Sequence, residues 1–108
     1  MISRGVRPLL GSVFIVACYV AGQATAAPSR GETLAQQWCS QCHAIKPGEQ
    51  SANPKAPAFA AIAAEPSATD YGLRVFLRTT HATMPNFKIN PDDIDDLVGY
   101  IRSLKAKP

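Results

Sequence analysis

The residues of this 108-residue chain with the most chemistry to offer lie together. Cys39 and Cys42 stand three positions apart, and His43 follows directly behind the second thiol. A C-x-x-C pair alone serves a redox dithiol, half of a zinc site or a disulfide. The adjoining imidazole narrows the choice, because C-x-x-C-H is the attachment sequence of a c-type haem. Two thiols at the end of a helix add across the two vinyl groups on one edge of the porphyrin, and the next residue is thereby delivered to the iron as a ligand. A structural zinc needs four ligands, and outside the N-terminal leader described below only His81 is left to join these three. A thioredoxin-like dithiol needs a βαβ setting, which no alternating strand pattern or hairpin signal provides.

The N-terminus bears on the compartment. Met1 to Pro8 carries Arg4 and Arg7 and no acid, Leu9 to Ala21 is apolar, and Ala24-Thr25-Ala26 supplies small residues for cleavage. This is the three-part layout of a secretory signal, with an apolar run shorter than the ~20 residues of a membrane span. The reading is a signal peptide over 1–27 and one domain over 28–108, exported to the periplasm. Two alternatives stand beside it. One is an uncleaved anchor, and the other is lipidation at Cys18, which closes a box-like Ile15-Val16-Ala17-Cys18. After cleavage nine Lys and Arg face eight Asp and Glu. Neither a nucleic-acid partner nor a polybasic membrane contact is suggested, and no membrane span is expected in the mature form. Only Cys39 and Cys42 remain as thiols, so no second disulfide can reinforce so small a chain. A covalently held macrocycle supplies the apolar mass that is otherwise missing.

The elements that must position these groups read as helices. The segment from about Gly31 to Cys42 opens near Ser29 with Glu32 in its first turn. Lys46 to Pro57 is a Pro, Gly, Ser and Asn-rich loop. A short helical piece from about Ala58 to Ala64 closes before Pro66. Thr69 and Asp70 cap an amphipathic helix in which Leu73, Phe76 and Leu77 share one face and Arg74 and Arg78 another. The last helix has the clearest start, with Asn90 as N-cap, Pro91 in the first helical position, and Asp92 and Asp93 where the macrodipole favours acids. Its stripe is Ile94, Leu97, Val98, Ile101 and Leu104, with Lys105 and Lys107 at the far end. Asp92, Asp93, Asp95 and Asp96 read as dipole compensation and a solvated face. The expected class is all-α, without repeats.

With these landmarks in order, residues 31 to 104 resemble the small class I cytochromes c. The resemblance rests on Cys39-Ser40-Gln41-Cys42-His43, a Pro-containing loop around Ala56-Pro57-Ala58-Phe59, Met84-Pro85, and a last helix carrying Leu97-Val98-Gly99-Tyr100-Ile101. It implies a cytochrome c-like fold of three to four helices around one covalently bound haem c. It also implies an axial pair of His43 and Met84, a Pro carbonyl that accepts from the His43 ring, and Phe59 packed on the haem. Pro57 fits the carbonyl role, with Pro54 as the alternative. Gly31 and Tyr100 fill the family's helix-crossing positions. Ala35 stands where the family usually has an aromatic, and either Trp38 compensates or that corner is looser. Met84 is the only methionine besides Met1. His81, three residues earlier, is the other side chain that could take its position and would give a bis-His haem of lower potential.

The resemblance implies a one-electron carrier, not an enzyme, in a periplasmic or respiratory chain. Its partners would be redox proteins: a reductase or dehydrogenase as donor, an oxidase or reductase as acceptor. A His/Met pair raises the haem potential and leaves no open position at iron. The alternatives are a haem c subunit of a larger dehydrogenase or oxidase complex, and a ligand-binding or peroxidase-type protein with an open iron position.

Overall fold

The computed structural model describes residues 26–106 and, before them, positions 5, 11, 15–18 and 22. Most of the expected signal peptide, including Ala24 and Thr25 of its cleavage site, and Lys107 lie outside the described residues. Four helices follow in chain order: α1 (Arg30–Trp38), α2 (Phe59–Ala64), α3 (Asp70–Arg78) and α4 (Pro91–Ser103). No strand occurs among the described residues, and the all-α expectation holds.

Local chemistry sets where the helices begin. Ser29, Thr69 and Asn90 each accept a hydrogen bond from the amide three residues on, at 3.1, 2.9 and 2.9 Å. Each such cap contributes about 1 kcal/mol relative to alanine. The loop after the C-x-x-C-H segment opens with a turn at Lys46-Pro47-Gly48-Glu49, where Gly48 has φ 79° and Glu49 N–H reaches the Lys46 carbonyl at 3.4 Å. Pro and Gly at its two central positions match a type II turn, whose positive φ only glycine takes without strain.

Helix α4 is the spine, and α1, α2 and α3 all pack on it. Its expected stripe is the core: Ile94, Leu97, Val98 and Ile101 are buried, and the half-buried Leu104 packs on their edge. Each fully buried aliphatic chain contributes roughly 1.5–3 kcal/mol. The backbones of α1 and α4 meet at Gly31, where a Cβ would collide with the Asp96 carbonyl and stand 2.8 Å from Tyr100 Cβ. Gly31 and Tyr100 therefore do share the crossing. Ala35 is completely enclosed, so its small side chain leaves no opening at that corner.

Two expectations need correction. The first helix closes at Trp38 rather than running to Cys42. Ser40 N–H bonds back to the Ala35 carbonyl at 3.1 Å, five residues earlier, and Cys42 N–H to Cys39 at 3.2 Å, three residues earlier. The ladder slips out of α register, and residues 39–42 become turns. The carboxylates of α4 are also not simply a solvated face. Asp93 is only 6% exposed; it pairs with Arg30 of α1 and accepts from Asn90 Nδ2 at 2.7 Å. Asp96 lies 2.9 Å from Arg30 Nε, and Asp95 lies 2.7 Å from Arg74 Nε of α3. These acids do oppose the dipole, but three of the four also tie α4 to its neighbours.

Candidate functional site

The turns after α1 gather the three reactive side chains. His43 N–H bonds to the Cys39 carbonyl at 2.9 Å, and Cys39, Cys42 and His43 all line one large cavity. Both thiols are free of disulfide. Burial pushes the Cys39 thiol up to about 11. A redox dithiol is favoured by a lowered thiol pKa, and the burial of Cys39 pushes the other way. Among the described residues no group of three or more His, Cys, Asp or Glu is arranged to hold a metal ion.

The His43 ring is fixed from two directions. Its Nδ1 lies 2.6 Å from the Pro57 carbonyl oxygen. A carbonyl can only accept, so Nδ1 carries the proton and Nε2 keeps the lone pair of the neutral ring, free for a metal. The partner is Pro57 rather than Pro54. Phe59 stands against the ring, with centroids 5.5 Å apart and planes at 52°. Phe59 in turn meets Tyr100 of α4 at 6.5 Å.

The backbone around His43 is pinned almost atom by atom. Asn53 N–H donates to the Cys42 carbonyl at 3.1 Å and Phe59 N–H to the Ala44 carbonyl at 2.9 Å. Ala44 N–H donates to Ser51 Oγ at 2.9 Å, and the Tyr100 hydroxyl donates to the Ile45 carbonyl at 2.6 Å. Burial, with help from Glu32 and Glu49, raises the Tyr100 pKa and keeps that hydroxyl a donor. Sequence reasoning missed the Tyr100–Ile45 bond. Its partners are 55 positions apart, so no local pattern points to it.

The cavity holds about 740 Å³, within the roughly 300–1,000 Å³ of sites that take small molecules and cofactors. Its walls are largely apolar, with Phe59, Ile62, Leu73, Leu97 and Ile101 among them. Met84 also borders it, on the segment between α3 and α4, together with His81 and Phe87. Phe87 stacks on Trp38 at 6.4 Å and 20°, while His81 stacks on Phe76 at 3.7 Å and 29°. Phe76 shares the cavity-lining face of α3 with Leu73 and Leu77, as expected, and stands beside the His81 ring. Two free thiols, an imidazole with a fixed tautomer, a thioether and a roomy apolar interior fit a planar macrocycle held through sulfur.

Comparison with known proteins points the same way. Residues 26–101 match the family described as cytochrome c oxidase, cbb3-type, subunit III. The chain is also similar to cytochrome c-552 of Bradyrhizobium diazoefficiens, with 32% identity over 93 residues, covering 86% of this chain and 89% of the relative. No solved structure matches.

Proposed function

The chain belongs to the c-type cytochrome family represented by subunit III of cbb3-type cytochrome c oxidase, and from that premise we propose that it is an exported one-electron carrier with a His/Met-ligated haem c. The family's cofactor is covalent haem c, its chemistry is electron transfer, and its members work with redox partners. In this chain Cys39 and Cys42 would carry the thioether bonds, and His43 and Met84 would hold the iron.

When bound, haem c supplies a one-electron ferric/ferrous couple. The residues do the rest. The Pro57 carbonyl holds the His43 proton at Nδ1 and sets the plane of the ring, which raises the donor strength of Nε2. The Met84 thioether is a soft, neutral donor that would favour the ferrous state of a bound haem iron and would leave it little room for small ligands. Phe59, Leu97 and Ile101 exclude water and keep the local dielectric low. The segment over 1–27 acts as a secretory signal, which puts the protein in the periplasm, where its partners are a reductase or dehydrogenase donor and an oxidase or reductase acceptor. Among the described residues no helix is long and apolar enough to cross a membrane.

The observation that carries the reading is the cavity bordered at once by Cys39, Cys42, His43 and Met84, with His43 Nδ1 engaged by Pro57. Optical spectra of the matured protein test it. Reduction should give the sharp α-band of a thioether-bound haem, and the oxidised form should show the weak far-red band of iron–thioether bonding. A colourless product, or a haem lost to acid–acetone extraction, would overturn it. The family's description also supports a second reading, a haem c subunit of a larger oxidase. The carrier reading is supported by the similarity to cytochrome c-552, matched over 89% of that relative's length. Migration of the native protein with a large membrane complex would favour the subunit.

A further inference from the structure

We propose that His81 is a reserve iron ligand, taking the sixth coordination position when the Met84 thioether leaves it. This rests on the His43/Met84 reading above. Three observations carry it. First, His81 borders the same cavity as His43 and Met84. Second, the ring is not free in solvent, as an imidazole in a polar loop usually is; it is stacked on Phe76, itself a cavity-lining residue. Third, His81 precedes Met84 by three residues in the stretch 80–89, and among the described residues no backbone hydrogen bond outside the helices involves that stretch. Sliding His81 into the place of Met84 therefore breaks no ladder. The cost is the stack on Phe76 and a local rearrangement of the loop.

The exchange balances simply. One iron–sulfur bond breaks and one iron–nitrogen bond forms, the thioether leaves unchanged and neutral, and no electron moves. An imidazole that starts protonated releases its proton to solvent. Imidazole is the harder donor, so the ferric state favours the exchange, and the bis-His product has the lower potential. Lys55 also lines the cavity, but it belongs to the hydrogen-bonded stretch on the His43 side, where Lys55 N–H donates to Asn53 Oδ1 and Ala56 N–H to the Asn53 carbonyl. Lys88, in the same loop as His81, is exposed.

The test uses ferric, haem-loaded protein followed by electron paramagnetic resonance and far-red absorption. Met84→Leu should be low-spin with two nitrogen ligands and, once reduced, should resist carbon monoxide. Adding His81→Gln to it should turn the iron high-spin and let carbon monoxide bind readily. A high-spin Met84→Leu protein overturns the proposal, as does a low-spin double variant, which would assign the role to another side chain. The unsubstituted chain gives a second readout that needs no change at Met84. Warmed until its far-red band disappears, it should stay low-spin, whereas His81→Gln treated alike should become high-spin; identical behaviour overturns the proposal. Absence of the far-red band from the unsubstituted protein at room temperature removes the Met84 assignment and the reserve role with it. A band that is present alongside a high-spin Met84→Leu removes the reserve role alone.

Discussion

Two stretches of chain border the same cavity and are held in opposite ways. Residues 39–59, which bear Cys39, Cys42, His43 and Pro57, are fastened by backbone and side-chain hydrogen bonds at nearly every step from Cys42 to Ile45. Residues 80–89, which bear Met84, rely on two aromatic stacks, His81 on Phe76 and Phe87 on Trp38. The difference teaches a division of labour. The side that bears Cys39, Cys42 and His43 is built for fixed geometry, whereas the side that bears Met84 is, among the described residues, held by packing.

The comparison can be broken or sharpened by substitution. The largest effect belongs to the double variant Cys39→Ala, Cys42→Ala. With no covalent attachment the 740 Å³ cavity loses its filling, and a chain this short has little other core. No coloured protein should survive acid–acetone extraction, and far-UV circular dichroism should show loss of helix. Next is Gly31→Ala at the α1–α4 crossing. The added methyl collides with a backbone carbonyl, which cannot rotate away as a side chain can. Denaturant titration of the haem-loaded form should show a loss of about 3 kcal/mol, the upper part of the usual overpacking range.

Tyr100→Phe is milder. It leaves the carbonyl of buried Ile45 without its donor and should cost about 1–2 kcal/mol. Phe87→Ala tests the other side. Phe87 is 39% exposed, and an aromatic pair adds only about 0.5–1.5 kcal/mol beyond its area. Its global cost should be below that of Tyr100→Phe, while the far-red band of the oxidised form weakens at lower temperature. If Phe87→Ala destabilised the whole protein more than Tyr100→Phe and left that band untouched, the contrast between the two stretches would be wrong.

Much of the scaffold was legible in the sequence, and the expected site residues Cys39, Cys42, His43 and Met84 line one cavity. Local signals carried far: Asn90-Pro91 marks the observed start of α4, Thr69 that of α3, and the Ile94 to Leu104 stripe lies in the core. These depend on neighbours within four residues, which a linear pattern contains. The end of α1 was misread because its apolar and polar spacing continues past Trp38 while the hydrogen bonds change register, and side-chain periodicity does not record that slip. The role of Asp93 was hidden for another reason. Its partner, Arg30, is 63 positions away, and a helix-start aspartate already has a sufficient local explanation. One clue was available: Arg30 sits in the first turn of α1, where the helix dipole opposes a cation. A basic residue there implies a carboxylate brought from elsewhere.

The most direct test is proton NMR of the reduced, haem-loaded protein with labelled methionine methyls. Met84 is the only methionine besides Met1, so its signal is easily assigned. The account predicts that the Met84 methyl moves far upfield, outside the ordinary protein envelope, because it lies over the macrocycle and bonds the iron. A Met84 methyl at an ordinary shift in a fully reduced, covalently haem-loaded sample would contradict it.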